Sequence, residues 1–203
     1  EVRERGGACQ WSAEGPRAFS FAPTCGPLGP MSEIGKRKDD HLDLAARGDV
    51  GFHHTTTLFE AVRFVHDALP ELSLDEIDTS QQVLGKTLRA PILIAGMTGG
   101  TERAAGINRQ LAKLAQARGY AFGLGSQRAM YKDPSVAESY RVRDVAPDVL
   151  LLGNIGLVQA AQMQSDEVAA LARSVAADAL CLHLNPAQEA VQAGGDRDFR
   201  NGL

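Results

Sequence analysis

One spacing constrains this chain more than anything else in it. Short apolar runs start at Pro91, Ala121, Val149 and Ala179, so about 30, 28 and 30 residues separate successive starts. The runs are Pro91-Ile92-Leu93-Ile94-Ala95, Ala121-Phe122-Gly123-Leu124, Val149-Leu150-Leu151-Leu152 and Ala179-Leu180-Cys181-Leu182. They lack polar alternation, as strands buried on both faces do. Helical patterns lie between them. Ile107, Leu111, Leu114 and Ala115 share one face, closed by Gly119; Val168, Leu171, Ala172 and Val175 share another, opened by Ser165-Asp166-Glu167; Pro134 to Val145 predicts a third helix. One strand, one helix and two loops per period is the βαβ unit, which predicts an α/β fold with a parallel sheet. The eight-fold barrel and the doubly wound open sheet both use it. A full (β/α)8 barrel takes about 250 residues, about 31 per unit. Pro91 to Leu203 has room for fewer than four complete units, so a barrel here would contain only about its first four strands.

The segments before Pro91 read differently. Residues 1–34 carry Pro16, Pro23, Pro27 and Pro30 with Cys9, Cys25 and Trp11, and show no sustained period. They are expected to be a disordered or non-native extension, with residues 35–203 forming an N-terminal arm and the first half of the barrel. Leu58 to Leu69 predicts a short helix ended by Pro70. Ile77 to Ser80 and Val83 to Leu88 predict an antiparallel pair that caps the bottom of the barrel. Lys and Arg number 21 against 25 Asp and Glu, which argues against a generally basic nucleic-acid binder. The 3 Cys form no Cys-x-x-Cys pair, and no apolar run approaches the roughly 18 residues of a membrane span. The expected setting is a reducing cytoplasm, with neither nucleic acid nor membrane as partner.

Polar and small residues gather where each apolar run ends. The clusters are Gly96-Met97-Thr98-Gly99-Gly100, Gly125-Ser126-Gln127-Arg128, Gly153-Asn154-Ile155-Gly156 and His183-Leu184-Asn185-Pro186-Ala187-Gln188-Glu189. Ligands of parallel α/β folds bind at the carboxyl ends of strands, so four successive clusters point to one site. Each has a plainer reading as a turn, a loop cap or the start of a solvated helix. Gly123-Leu124-Gly125 begins a dinucleotide-binding pattern, but its sixth position is Arg128 instead of Gly. Upstream, Lys36-Arg37-Lys38-Asp39-Asp40-His41 is either solvated charge or an arm that folds over the site and clamps a phosphate.

These residues carry a family resemblance. From Gly35 to Leu203 the chain resembles the N-terminal half of the type 2, flavin-dependent isopentenyl diphosphate isomerases. The matching motifs are Arg37-Lys38-Asp39-Asp40-His41, Arg63-Phe64-Val65-His66-Asp67-Ala68-Leu69-Pro70, Met97-Thr98-Gly99-Gly100, Gly125-Ser126-Gln127-Arg128 and His183 to Glu189; Arg197-Asp198-Phe199 also fits. The resemblance implies an FMN-dependent TIM barrel that interconverts isopentenyl and dimethylallyl diphosphate in isoprenoid biosynthesis. It implies FMN, NADPH and Mg2+ as cofactors, and a homo-oligomer when full length. By resemblance, Arg37, Lys38, His183 and Asn185 hold the diphosphate. Met97, Thr98, Gly99, Ser126 and Asn154 border the flavin, and Ser126, Gln127 and Arg128 face the substrate. Gln188 is the catalytic residue nearest the migrating double bond and contacts substrate, and Glu189 ligates the metal.

The residue types suit that chemistry. A diphosphate needs Arg, Lys and a metal, and magnesium is content with one or two carboxylates plus phosphate oxygens. Moving a double bond requires one proton delivered and another removed. Gln188 is no strong acid, so reduced flavin is the more credible proton donor. With four strands absent, the fragment is expected to be inactive and without a complete flavin site. Two other readings stay open. One is another FMN-dependent TIM-barrel oxidoreductase, such as a relative of the 2-hydroxy-acid oxidases or dihydroorotate dehydrogenases. The other is a non-catalytic half-barrel acting as an interaction module.

Overall fold

The computed structural model describes residues 33–48, 50–192 and 194–200. The expected tail over residues 1–34 lies outside them, except for its last two positions, which open the first helix.

Four parallel strands form the frame: β3 (Leu93–Ile94), β4 (Ala121–Gly123), β5 (Leu151–Gly156) and β6 (Ala179–His183), side by side in chain order. Each crossover carries helix, as parallel pairing demands. The sheet is open, with β3 at one edge and β6 at the other. Burial follows that placement. Phe122, Leu124, Leu151 and Ile155, on or beside the central strands, are fully enclosed, and each contributes roughly 1.5–3 kcal/mol. Leu93 and Leu182, on the edge strands, are 48% and 49% exposed. The expectation of strands buried on both faces therefore holds for the middle of the sheet and fails at its edges.

Strand limits also differ from the reading by apolar runs. β3 is reduced to two residues: Pro91 has no N–H for a ladder, and the Ile92 N–H donates to the Ala90 carbonyl at 2.7 Å. β5 and β6 run past their apolar runs, with Asn154 opposite Cys181 and Gly156 opposite His183. Asn154 and His183 thus sit on rigid strand backbone instead of in loops.

The main crossover helix, α2 (Glu102–Arg118), starts at Thr101, whose side chain accepts from the Ala104 N–H. Arg118 occupies its last turn, and Gly119 ends it at φ 68°. α5 (Ser165–Ser174) opens at Ser165 as expected, with Gln164 as its N-cap, whose backbone N–H donates to the Glu167 carboxylate at 2.8 Å. The helix expected over residues 134–145 is a 3-10 turn, Pro134–Tyr140, followed by extended Arg141. Tyr140 and Val142 are both completely buried. Residues two apart cannot share a helical face, so the chain must straighten between them.

At the N-terminal ends of the strands, β1 (Gln81–Val83) and β2 (Lys86–Leu88) form an antiparallel hairpin. Its first strand begins at Gln81, not at Ile77 as expected. Leu88 packs on Ala121 and Leu150, which gives the hairpin the expected packing role. Arg143 ties the same end together by donating to Asp178 at 2.6 Å and to the Val149 carbonyl at 2.7 Å. The helix expected over Leu58–Leu69 is reduced to one 3-10 turn, Phe59–Ala61. Phe64 and Val65 are 95% and 97% exposed, so among the described residues no apolar surface receives that face, and a helix this short is marginal without one. No described helix is long and apolar enough to cross a membrane.

Candidate active site

The charged arm is a helix, α1 (Glu33–Arg47). Arg37, Lys38 and His41 stand at i, i+1 and i+4, so all three fall on one face. Two contacts fix the docking of α1 on the start of α2. Thr101 donates to Asp39 at 2.9 Å, and Arg103 pairs with Asp43 at 2.7 Å. Leu42 is buried beneath them.

That docking roofs a cavity of about 260 Å³ at the carboxyl ends of the strands. Arg37, Lys38 and His41 line it from α1; Gly96 and Met97 follow β3; Ser126 and Arg128 follow β4; Asn154 and His183 come from β5 and β6. Asn185, Gln188, Glu189 and Gln192 enter from α6 (Pro186–Val191) and its flanks, and Gln159 from α4 (Leu157–Ala160). Four separate chain segments ending in polar clusters thus converge on one hollow.

The cavity is dominated by cations. Burial pushes the Lys38 ammonium down to about 8, with help from neighbouring Arg37 and against the pull of Glu189. Burial also holds His41 below its ordinary value, as do Lys38 and Arg37 beside it, opposed by Asp40. His183 is lowered too, by burial first; Glu189 opposes this and Lys38 adds to it. Cations outnumber the one carboxylate, Glu189, in the cavity lining, and they depress one another. Arg37 Nε and Arg128 Nε are buried without a hydrogen-bond partner. Both features suit a multiply charged anion.

Two polar arrangements shape the floor. His183 Nδ1 lies 2.7 Å from Asn154 Oδ1. An amide oxygen only accepts, so Nδ1 carries the proton and the ring is fixed. Glu189 Oε2 accepts the Asp196 backbone N–H at 3.0 Å, and Asn185 reaches Oε1 at 3.5 Å. Among the described residues no group of three His, Cys, Asp or Glu could hold a metal by itself. Glu189 alone would have to share an ion with ligand oxygens and water, which is how magnesium is commonly held.

Of the site residues read from sequence, Arg37, Lys38, Met97, Ser126, Arg128, Asn154, His183, Asn185, Gln188 and Glu189 come together. Gln127, Thr98 and Gly99 do not line the cavity. Gln127 is fully enclosed, donating to the Leu171 carbonyl at 2.9 Å and accepting the Asn154 N–H at 3.1 Å. Its contacts join β4, β5 and α5 instead of reaching toward a substrate. Thr98 is 3% exposed with an unpartnered hydroxyl, and Gly99 lies so close to the Tyr140 ring that a methyl there would collide with it. Tyr140 in turn donates to the Ser126 carbonyl at 2.8 Å, coupling the two strand-end turns. His41, Gln159 and Gln192 also line the cavity without having been assigned a role from sequence. His41 had a signal, its i+4 relation to Arg37; Gln159 and Gln192 had none.

Comparison with known proteins bears on this site. The family profile described as FMN-dependent dehydrogenase matches residues 32–143. An isopentenyl-diphosphate delta-isomerase of Synechococcus is 47% identical over 178 residues, covering 87% of this chain and 51% of that protein. One from Cronobacter sakazakii is 47% identical over 173 residues, covering 84% and 50%. One from Thermococcus onnurineus is 46% identical over 175 residues, covering 82% and 46%. The chain spans about half the length of the curated relatives it matches.

Proposed function

The chain belongs to the FMN-dependent dehydrogenase family, and from that premise and the likeness to isopentenyl-diphosphate delta-isomerases we propose that the whole protein interconverts isopentenyl and dimethylallyl diphosphate. One observation supports this most: the roof of Arg37 and Lys38 facing Arg128 and His183 across a cavity that also holds Gln188 and Glu189. A diphosphate carries more charge than the single carboxylate of a 2-hydroxy acid, and so suits a lining with this many cations.

In this reading the four-stranded sheet is half of a (β/α)8 barrel of the type 2, flavin-dependent kind. Arg37 and Lys38 bind the diphosphate from above, with His183 and Asn185 below. Arg37 and Arg128 each have a buried N–H to offer. Glu189 holds Mg2+ together with diphosphate oxygens. Met97, Ser126 and Asn154 border FMN, and the half-exposed Met97 leaves a surface for a flat ring. Bound there, FMN reduced by NADPH would supply the acid and base that the allylic shift needs. Gln188, on the first turn of α6, would orient the isoprene unit and relay the proton, being itself no strong acid or base. The roof excludes water, which strengthens each of these contacts. The working protein is a cytoplasmic homo-oligomer in isoprenoid biosynthesis.

The test is anaerobic incubation of the whole protein with isopentenyl diphosphate, FMN, NADPH and Mg2+, followed by NMR of the product. Dimethylallyl diphosphate formed without net NADPH oxidation is the expected result. The family's description favours a second reading, flavin-dependent dehydrogenation. Flavin reduction by a 2-hydroxy acid with no isomerisation would replace the first reading with the second.

A further inference from the structure

Asp196 belongs to none of the motifs above, yet three cavity-lining residues meet at it. Arg128 donates to its carboxylate through both terminal nitrogens, at 3.1 and 3.5 Å. Gln159 donates to the same carboxylate. The backbone N–H of Asp196 donates to Glu189 at 3.0 Å, and Arg128 lies 4.0 Å from that carboxylate. The Arg128, Glu189 and Asp196 side chains are 16%, 12% and 22% exposed, so these bonds are shielded from water. The approach is tight. Gly195 packs against the Glu189 backbone so closely that a side chain there would collide with it.

We propose that Asp196 is a positioning residue, whose carboxylate locks the guanidinium of Arg128 into the geometry that receives a diphosphate, while its backbone N–H, which any residue at this position keeps, fixes Glu189 beside it. The proposal rests on the anion-binding reading of this cavity. The physical case turns on sign. An acid beside an anion site repels the anion, so a carboxylate placed here for charge alone would oppose binding. Its benefit comes from geometry. A long Arg side chain loses much rotamer freedom on binding, and a partner that holds it beforehand removes that loss from the binding step. The planar guanidinium, gripped at its two terminal nitrogens, keeps its remaining buried N–H in one direction.

The experiment uses the 203-residue chain and inorganic pyrophosphate with Mg2+, titrated calorimetrically, with melting temperature as a control of fold. Asp196→Asn should weaken pyrophosphate binding about tenfold, although it removes a negative charge. In an Arg128→Gln background the same change should have little effect, because the group it positions is gone. Asp196→Glu, which keeps the charge and shifts the grip, should recover part of the loss. Tighter binding by Asp196→Asn, or an equal loss in both backgrounds, overturns the proposal and leaves the anion site standing. A parent chain that does not bind pyrophosphate overturns the anion-site reading, and the proposal falls with it.

Discussion

Replacing Lys38 by Met should raise the melting temperature and weaken anion binding in the same protein. The magnitude follows from where the ammonium sits. Its pKa falls from 10.5 to about 8, and burial is the leading cause. At 1.36 kcal/mol per unit, keeping the charged form in the fold costs about 3 kcal/mol at most. Met keeps the hydrocarbon stem and removes that cost. For a chain of this size, about 3 kcal/mol corresponds to roughly 6–12 °C in melting temperature. The pH dependence has a definite sign. Unfolded Lys38 binds its proton up to about pH 10.5, folded Lys38 only up to about 8, so the unfolded state holds more protons between those values. Stability of the parent should therefore rise across that window, and its deficit against Lys38→Met should close. Pyrophosphate adds counter-charge beside the ammonium and should raise its pKa again. At pH 7 it should stabilise the parent strongly and the variant weakly. The assay is thermal unfolding from pH 7 to 10, with and without pyrophosphate. A variant that melts below the parent at pH 7 and binds pyrophosphate equally well would refute the reasoning and make Lys38 a structural residue.

Three further outcomes are expected. Glu189→Gln should abolish the Mg2+ dependence of pyrophosphate binding while the fold remains intact; calorimetry at several Mg2+ concentrations checks this, and an unchanged dependence counts against the metal role. Gln127→Ala should cost about 2–4 kcal/mol, because it leaves the Leu171 carbonyl and Asn154 N–H unpaired, yet should leave pyrophosphate affinity within about twofold; denaturant titration and calorimetry separate the two effects. The 203 residues by themselves should remain colourless with added FMN and should self-associate, because Leu182, Leu184 and Val191 are 49%, 73% and 88% exposed beside the open edge strand β6. Flavin absorbance after desalting and light scattering test this, and a yellow monomer would contradict it.

Much of the site was legible because strand ends and helix faces obey short-range periods. The apolar runs near Ala121, Val149 and Ala179 located β4, β5 and β6, and the polar residues after them located the hollow. Misreadings arose where burial alone sets the outcome. Tyr140 and Val142 look like members of one helical pattern, but the core demands both, and the backbone extends between them. Leu58 to Leu69 has a helical pattern and no surface to bury it against. Gln127 sits in a motif with Ser126 and Arg128, yet one residue of displacement turns its amide into the core while theirs face the cavity.

The sequence by itself determined the parallel α/β frame, because an apolar run about every 30 residues with helix between admits few other solutions. It also supplied the expectation of an anionic ligand held with a metal ion, through the basic arm and the carboxylate of Glu189. Only tertiary structure decided that the arm is a helix docked on α2, since that depends on Asp39 meeting Thr101 and Asp43 meeting Arg103 across about 60 residues of chain. It alone brought Asp196 to Arg128, 68 positions away. Local propensity sees a few residues on either side, whereas a charge network is fixed by what the finished fold brings within hydrogen-bond reach.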